Sequence, residues 1–374
     1  MRVLHISSGN LYGGVETMLL TMANHRASCR DLETEIALCF DGRASRELEA
    51  TRIHLHRLPT PRARNPHTVV RARTALGRLL RERRFDRVIC HGQWAQAIFG
   101  STVRRAGVPL VMWVHGPLAG RHWSERWAGW TRPDLAICTS EFTARSLPNV
   151  YDDLPAVVIH PPVDVSPATL SAAERDAVRR ELMTPLDAVV LIQASRTEAW
   201  KGHPLLIDAL GLLRDVPHWI WWQVGGAQRP FEAAYLDSPR TQARDLGIVD
   251  RVRFVGERQD VRRLLAAADV HCQANLNPEP FGIAFVEALA AGLPVVTVSM
   301  GGAMEIVDES CGILVPPADA GCLAAALRRL IEDRGLRTRL STAAPARAKA
   351  VSDVATQLGV LKCALDGMAL SVAV

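Results

Sequence analysis

Lysine is almost missing from this chain. The 374 residues include 44 Lys and Arg, and only three of these, at positions 201, 349 and 362, are lysine. An ammonium group is a compact point charge on a flexible stem, whereas a guanidinium group is a planar fork of donors. A lysine that is kept where arginine is used almost everywhere else indicates a specific role. Lys201 is therefore the first candidate functional residue.

Other absences restrict the class of protein. No apolar run approaches the roughly 18 residues that a membrane-spanning helix needs, and no signal-peptide pattern precedes the first strand pattern at residues 2–7. The eight cysteines include no Cys-x-x-Cys pair, and several lie within apolar strand patterns. These features favour buried, reduced thiols over disulfides or a metal site. We expect a protein of the cytoplasm or of the inner face of the membrane.

Positive charge is concentrated in the first half. Residues 1–165 contain 22 arginines and 15 acidic residues, a net charge of +7, whereas residues 166–374 have a net charge of −2. A basic half is typical of a protein with an anionic partner, such as a membrane surface, a phosphorylated acceptor or nucleic acid. A solvated surface in an arginine-rich proteome explains it as well. No recognised nucleic-acid-binding module occurs, so a nucleic-acid partner is not expected.

Short apolar strand patterns alternate with helical patterns along the chain. The helical segments include residues 15–26, 67–84, 93–106 and 141–147 in the first half, and 203–214, 231–246, 260–267 and a segment from 282 in the second. Between the halves, the stretch HPPVDVSP at 160–167 contains three prolines and no periodicity, which is typical of a linker. Near-continuous apolar strands separated by helices predict parallel sheets covered on both faces.

The predicted fold is α/β, with two Rossmann-like, doubly wound parallel-sheet domains that face a central cleft. We place the first domain at residues 1–165 and the second at residues 166–349, and we expect a C-terminal helix at 350–374 to pack back on the first domain. Ligands of open parallel sheets bind beyond the carboxyl ends of the strands. The cleft is therefore the expected active site.

The stretch SSGNLYGGVE, residues 7–16, joins the first predicted strand to the first predicted helix. Gly13 and Gly14 permit close approach of the backbone to a ligand, and the helix that follows offers free N–H groups and a partial positive charge. The spacing differs from the Gly-x-Gly-x-x-Gly pattern of dinucleotide-binding loops. A ligand-binding loop and an ordinary tight turn both fit this stretch.

The stretch ASRTEAWKG, residues 194–202, follows the first strand of the second domain and leads into a helix. Arg196 and Lys201 are two cations beside a helix N-terminus. A guanidinium group there can bind two oxygens of a diphosphate, and an ammonium group can act as a point charge. A pair of surface cations is the alternative, although the rarity of lysine favours the diphosphate site.

The stretch NPEPFGIAFVEALAAGLPVV, residues 277–296, places Glu279 in a loop and Glu287 inside an apolar helix that Gly292 and Pro294 end. A carboxylate in such a helix is costly unless it has a partner. Because side chains lean toward the N-terminus of their helix, we expect Glu287 to reach toward the loop of Glu279. A carboxylate at this edge can accept hydrogen bonds from two vicinal ribose hydroxyls.

Together these motifs resemble family 4 of the retaining glycosyltransferases, the two-Rossmann (GT-B) enzymes that use nucleotide-diphosphate sugars. The resemblance covers nearly the whole chain and is strongest at EPFGIAFVE, SRTEAWKG, GGVE and WVHGP. The Glu-x7-Glu pattern followed by ALAAGLPVV and GG..EIV is its most specific part. The resemblance implies that the first domain binds the acceptor and the second binds the donor.

The resemblance also implies a role for each matching residue. His115 and Glu279 would lie at the reaction centre beside the transferred sugar, although a structural role for His115 is the alternative. Glu287 would bind the ribose hydroxyls, and Arg196 and Lys201 would bind the donor diphosphate. The other implied donor-binding positions are Gly14, Val255, Phe281, Gly282 and Ile283.

The candidate acceptor-binding residues lie in the first domain and are Glu16, His91, Trp123 and Trp127. In RHWSERWAGW, tryptophans 123, 127 and 130 share one helical face among arginines. They either pack in the core or form a lip for a lipid-linked or glycan acceptor, since tryptophan and arginine both suit membrane interfaces. The basic segment 71–84 can add attraction to anionic lipid.

The function that this resemblance implies is transfer of a hexose from a UDP- or GDP-linked sugar to a glycan or lipid-linked acceptor, with retention at the anomeric carbon. We expect the pathway to be cell-surface polysaccharide or glycoconjugate synthesis. No Asp-x-Asp triplet occurs in the chain, so no metal and no other cofactor is expected. The alternatives are a nucleotide-sugar epimerase or phosphorylase of the same architecture and a non-enzymatic anion-binding or scaffold protein.

Overall fold

The structure, a computed structural model, describes residues 1–227, 232, 235 and 237–371, with side chains up to residue 368. The chain forms two compact units, which are described here one at a time. The first comprises residues 1–163 together with the chain from Ser352 onward, and the second comprises residues 164–351.

Seven strands, all parallel, form the sheet of the first unit. They are β1 (Arg2–Ser7), β2 (Glu33–Leu38), β3 (His54–Arg57), β4 (Arg87–His91), β5 (Leu110–Val114), β6 (Leu135–Cys138) and β7 (Ala156–Val158). Their order in the sheet is β3-β2-β1-β4-β5-β6-β7. The direction of winding reverses between β1 and β4, which is where ligands of doubly wound sheets bind.

Helices connect these strands. They are α1 (Gly14–Asn24), α2 (Arg43–Ala50), α3 (Pro66–Glu82), α4 (Gly92–Arg105), α5 (Trp123–Gly129) and α6 (Glu141–Ala144). Helix α3 shows why they form: Pro66 occupies the first turn, and buried Val69, Ala72, Leu76 and Leu80 recur at helical spacing. Three of its four arginines, at positions 71, 78 and 81, are exposed, so the basic segment seen in the sequence lies mainly on the solvent side of a packed helix, whereas Arg73 is partly buried.

The second unit contains a six-stranded parallel sheet. Its strands are β8 (Val189–Ala194), β9 (Trp219–Val224), β10 (Val252–Gly256), β11 (Val270–Gln273), β12 (Val295–Val298) and β13 (Gly312–Val315), in the order β10-β9-β8-β11-β12-β13. Its helices are α7 (Ala172–Glu181), α8 (His203–Gly211), α9 (Asp237–Asp245), α10 (Val261–Ala267), α11 (Ile283–Ala290), α12 (Ala303–Ile306), α13 (Ala320–Glu332) and α14 (Arg334–Ser352). The predicted class, two doubly wound parallel sheets, is confirmed.

The apolar strands form the cores of both units. In the second unit, Trp219 and Trp221 of β9 are buried among leucines of α8 and α13. Five of the eight cysteines are buried and all eight are free thiols, but Cys322 and Cys363 are exposed, so the expectation of buried thiols holds only in part. Within the described residues, no helix is long and apolar enough to cross a membrane.

Several elements differ from the sequence prediction. Helices α2, α7, α12, α13 and α14 and strand β13 were not named in that prediction. Residues 231, 233, 234 and 236 of the predicted helix 231–246 lie outside the described residues. The predicted C-terminal helix at 350–374 is also wrong at its start. Helix α14 ends at Ser352, and a new helix, α15 (Val354–Ser371), follows. The break occurs because the Asp353 carboxylate accepts a hydrogen bond from the Thr356 amide at 3.0 Å and caps α15. This helix belongs to the first unit, where the Leu365 carbonyl accepts a hydrogen bond from Arg87.

Candidate functional site

Arg196 lies in the loop that follows β8 in the second unit. Its guanidinium group donates to Glu232 at 2.9 Å and forms an ion pair with Glu198 at 3.1 Å. Glu232 is only 1% exposed, and the Arg196 side chain is 22% exposed. A loose surface cation would not be held by a buried carboxylate, so the structure favours a fixed cation at the carboxyl edge of this sheet.

Lys201 lies at the end of the same loop, immediately before α8. Its Nζ donates to Glu279 Oε2 at 2.8 Å and lies 3.9 Å from the centroid of the Trp200 ring. The next residue, Gly202, has φ +70, and a Cβ atom there would lie 1.6 Å from the Ala274 carbonyl oxygen. Only glycine allows this approach. The ammonium group is therefore fixed between two loops by a backbone contact that no other residue permits.

Glu279 accepts three hydrogen bonds, from Lys201 at 2.8 Å, from Asn275 Nδ2 at 2.8 Å and from Gln273 Nε2 at 3.4 Å. Its loop is supported from behind, because the Gly302 amide donates to the Glu279 carbonyl at 2.8 Å. A Cβ atom on Gly302 would lie 2.6 Å from the Phe281 Cα. Gly301 and Gly302, the two glycines after β12, thus support the Glu279 loop through close backbone contacts.

Glu287 has different surroundings. It lies on α11, partly exposed, and its carboxyl group makes no hydrogen bond or ion pair to any residue that the structure describes. Burial raises the pKa of Glu287 to about 7, and the charge of Arg262 on α10 offsets part of this effect. The two carboxylates share no hydrogen-bond donor among the described residues: Glu279 Oε2 accepts from Lys201, Asn275 and Gln273, and the Glu287 side chain accepts from none of them.

The remaining donor-binding candidates follow the same edge. Gly282, with φ +117, caps α11, and Ile283 begins that helix, so the first N–H groups of α11 have no partner within the helix. Phe281 is 3% exposed. Val255 lies in β10 at a register shift between Phe254 and Gly256. Their main-chain atoms, rather than their side chains, are what this geometry offers to a ligand.

The loop after β1 in the first unit has a structural explanation. Gly13 caps α1, and its amide donates to Glu16 Oε2 at 3.1 Å. Gly14 is the first residue of the helix, and Glu16 is 8% exposed. Glu16, named above as an acceptor candidate, therefore takes part in capping the helix.

Three histidines from neighbouring strands form a chain in the first unit. His5 Nδ1 lies 2.9 Å from His91 Nε2, and His91 Nδ1 lies 2.8 Å from His115 Nε2. Burial lowers the pKa of His5 and of His115 to about 3, and burial together with its two neighbours lowers the pKa of His91 well below its usual range. All three are neutral near pH 7. His5 was missed from the sequence, although a histidine inside the apolar strand RVLHIS was a usable signal.

The tryptophans of the first unit do not share one environment. Trp123 is 45% exposed and Trp130 is 82% exposed, because α5 ends at Gly129 and Trp130 lies beyond it. Trp127 packs against the core cluster that includes Phe99, and its ring lies 5.5 Å from the Arg73 guanidinium. Core packing therefore explains Trp127, whereas Trp123 and Trp130 are exposed side chains.

No group of three or more His, Cys, Asp or Glu side chains in the described ranges is arranged to hold a metal ion. The described side chains that could hold a diphosphate are Arg196 and Lys201. Among the described residues, no donor bonds to either carboxyl oxygen of Glu287 or to Oε1 of Glu279, so both groups have capacity to accept hydrogen bonds from a ligand.

Two family models match the chain. The model of "Glycosyltransferase Family 4" matches residues 12–167, and that of "Glycosyl transferases group 1" matches residues 174–347. The lipopolysaccharide core biosynthesis glycosyltransferase LpsE of Rhizobium meliloti is 37% identical over 164 residues, which cover 44% of this chain and 45% of LpsE. The chain thus spans about half the length of that relative.

Two further relatives match over more of the chain. A D-inositol 3-phosphate glycosyltransferase of Kineococcus radiotolerans is 30% identical over 303 residues, which cover 72% of this chain and 68% of that protein. The crystal structure of Anabaena HepE in complex with UDP-glucose matches with a TM-score of 0.87 and 26% identity, covering 98% of this chain and 100% of HepE. These matches confirm the resemblance drawn from the motifs: the chain belongs to glycosyltransferase family 4 and is a glycosyltransferase of the GT-B fold.

Proposed function

We propose that the protein moves a hexose from a nucleotide-diphosphate sugar to a glycan or lipid-linked acceptor, with retention at the anomeric carbon and without a metal ion. The pathway that we propose is cell-surface polysaccharide or glycoconjugate synthesis at the cytoplasmic face of the membrane. One observation carries the donor assignment: Arg196 and Lys201 are fixed by carboxylates at the same edge of the second sheet, at 2.9 and 2.8 Å.

These two cations suit a diphosphate. Glu232 and Glu279 hold the guanidinium and ammonium groups in place, and further N–H donors on each cation are available for phosphate oxygens. Helix α8 begins just after Lys201, and helix α11 begins just after the loop of Glu279. The N-termini of both helices therefore add partial positive charge at this edge of the sheet. The UDP and UDP-glucose complexes of HepE support a UDP-linked hexose as the first donor to test, and a GDP-linked sugar is the second.

Glu287 suits a ribose. Two vicinal hydroxyl groups can donate to the two oxygens of one carboxylate, and the described residues offer Glu287 no competing donor. With a pKa of about 7, the group is about half ionised at neutral pH. Hydrogen bonds from the hydroxyls favour the charged form. The cost of keeping this carboxyl group in an apolar helix is thereby offset only when the nucleotide binds.

The leaving group is stabilised by positive charge. When the glycosidic bond to phosphate breaks, negative charge develops on the diphosphate, and Arg196, Lys201 and the N-terminus of α11 stabilise it. The sequence contains no Asp-x-Asp triplet, which supports transfer without a metal. Three donors, one of them the Lys201 ammonium group, bond to Oε2 of Glu279 and make this carboxylate a weaker nucleophile, which supports a front-face displacement over a covalent intermediate on Glu279. In that displacement the leaving phosphate accepts the proton of the acceptor hydroxyl.

The first unit supports an anionic acceptor or membrane surface. A groove between α3 and α4 is lined by Arg73, Arg81 and Arg105, and no Asp or Glu is among its lining residues. Burial, and after it the positive charge of Arg105, lower the pKa of Arg73, as expected where two cations lie close enough to repel each other. Phosphate groups would offset this repulsion. Because the apolar face of α3 is buried in the core, the attraction is electrostatic and not an insertion into lipid.

Calorimetry tests the donor site. UDP, GDP, UDP-glucose and GDP-mannose are titrated in EDTA into the wild type, Glu287→Ala and a matched control, Glu309→Ala, which changes an exposed glutamate. We expect one nucleotide to bind the wild type and the control equally, and to bind Glu287→Ala about 10- to 100-fold more weakly, since two hydrogen bonds to a charged group are lost. Binding by none of the four would contradict the proposal.

Product analysis tests the reaction itself. With a synthetic lipid-linked saccharide as acceptor and the nucleotide sugar that binds, the anomeric configuration of the new bond is read by NMR. An α-linked donor should give an α-linked product in the presence of EDTA. An inverted product contradicts retention, and a requirement for added magnesium contradicts metal independence.

A further inference from the structure

The three histidines of the first unit form a chain with one accessible end. His5 is fully buried and His91 is 6% exposed, whereas His115 is partly exposed. His115 Nδ1 makes no hydrogen bond to a described residue and is not among the buried side-chain atoms that lack a partner. That nitrogen is therefore the atom through which the chain meets solvent or a ligand.

The number of ring protons limits how the chain can be arranged. A neutral imidazole carries one N–H and one bare nitrogen. Each of the two hydrogen bonds needs an N–H on one ring and a bare nitrogen on the other. Only two arrangements satisfy both bonds: every ring carries its proton on Nε2, or every ring carries it on Nδ1. The tautomer of His115 is thus coupled to that of His5 through His91.

The buried end favours one of these arrangements. His5 Nε2 is buried and has no hydrogen-bond partner in the described part of the chain. If the protons were on Nε2, a buried N–H would lack an acceptor, which native proteins strongly avoid. If they are on Nδ1, the same atom is a bare nitrogen, and unpaired acceptors are tolerated more often than unpaired donors.

We propose that His5 and His91 are positioning residues that hold His115 in its Nδ1–H tautomer, so that the accessible nitrogen donates a hydrogen bond to an oxygen atom of the sugar substrate. The identity of the substrate rests on the function proposed above, whereas the tautomer does not. The rings of His91 and His115 lie end to end and nearly parallel, with centroids 5.1 Å apart and an interplanar angle of 13°, so the hydrogen bond between them holds the donor ring in one orientation.

In this arrangement the three histidines fix the tautomer of His115 and do not conduct protons. Moving a proton out through His115 would require a proton to enter at His5 Nε2, and no described residue is placed to supply one. His115 is therefore expected to act as a neutral donor throughout the reaction. A neutral N–H suits a hydroxyl oxygen or an oxygen on which negative charge develops in the transition state.

Two-bond proton–nitrogen correlation spectra of ¹⁵N-histidine protein test the tautomer directly. Free neutral histidine favours the Nε2–H form, so an Nδ1–H pattern is a distinctive signature. We expect that pattern for His5, His91 and His115 at pH 7, with each signal assigned by its loss in the single His→Asn variant. An Nε2–H pattern for these residues in the wild type overturns the proposal, whether or not any variant folds.

Two substitutions of His5 test the coupling. His5→Asn keeps an amide N–H near the position of Nδ1, whereas His5→Leu removes the donor. We expect His5→Asn to retain kcat within about twofold, and His5→Leu to lower kcat about tenfold with little change in KM for the nucleotide sugar. The His115 signal should keep the Nδ1–H pattern in the first variant and lose it in the second.

The outcomes separate the two proposals. If the wild type transfers no sugar but shows the Nδ1–H pattern, the proposed function fails and the tautomer assignment stands. If the wild type transfers sugar and both His5 variants retain full kcat, the positioning role is wrong. Equal loss of kcat in His5→Asn and His5→Leu, with both folded, also contradicts it.

Discussion

Lys201 and Glu279 form an ion pair 2.8 Å long between residues 78 positions apart in the chain. Their side chains are 14% and 13% exposed. The pair joins the loop after β8 to the loop before α11, which are the two segments with the most family-specific motifs. A pair this buried is not an ordinary surface salt bridge, since loss of one partner leaves the other charge poorly compensated.

Replacement of Lys201 tests whether a point charge is needed. Lys201→Arg keeps the charge but places a larger planar group beneath Trp200, so we expect kcat/KM for the nucleotide sugar to fall about 100-fold. The matched control is Lys362→Arg, which alters a surface pair with Asp366 at 2.6 Å. Steady-state kinetics of both variants decide the matter. Activity of Lys201→Arg close to that of the control would show that any cation suffices.

Glu287 makes stability depend on pH. Its pKa is raised to about 7 from 4.5, so the folded protein binds more protons than the unfolded chain between these values. Stability is therefore greatest below about pH 4.5 for this group and falls as pH rises through 7. We expect Glu287→Gln to be more stable than the wild type by about 2 kcal/mol at pH 8, with the difference vanishing near pH 5. Denaturant unfolding at both pH values measures it; a difference that does not change with pH would show that burial does not shift this group.

Gly302→Ala should disturb the backbone contact that supports the Glu279 loop. The new Cβ would meet the Phe281 backbone at 2.6 Å, and backbone cannot move aside as a flexible side chain can. We expect a loss of about 2 kcal/mol in unfolding free energy, together with weaker donor binding. Gly359→Ala is the control, because a Cβ there meets nothing within 4 Å on helix α15 and alanine favours helix. Equal stability of the two variants would contradict the close contact.

Vesicle binding tests the basic groove. The double variant Arg81→Glu, Arg105→Glu should lose affinity for vesicles that contain phosphatidylglycerol, and wild-type binding should weaken as salt is raised. The control, Arg214→Glu with Arg329→Glu, makes the same change in charge at exposed positions of the second unit. Sedimentation with neutral vesicles sets the baseline. If both double variants lose affinity equally, net charge and not the groove explains the attraction.

Much of the fold was predictable because its signals are local. Apolar strands such as VVLIQA, separated by helical segments, indicate a parallel sheet without any knowledge of contacts, and both sheets are parallel throughout. The rarity of lysine and the spacing of Glu279 and Glu287 indicated side chains that lie in the loops and helix at the expected sheet edge. Elements without a strong period, such as β13 with only four residues, were missed.

The pairings within the site were not predictable, because they join segments that are distant in the chain. Sequence spacing placed Glu279 and Glu287 at one sheet edge, but it did not indicate that Lys201 and Asn275 both donate to Glu279 Oε2. Likewise, the His5 partner of His91 lies 86 residues away, and only the order of strands β1 and β4 brings them together.

The rarity of lysine also makes the donor site easy to follow by chemistry. An acylating reagent that attacks amines has few targets in this chain: the terminal amine and three side chains, of which Lys349 is exposed. Lys201 lies under Trp200 and against Glu279, so it should react last. The rate at which Lys201 is acylated would then report how often its contact with Glu279 opens. The rates at Lys349 and Lys362 serve as internal references.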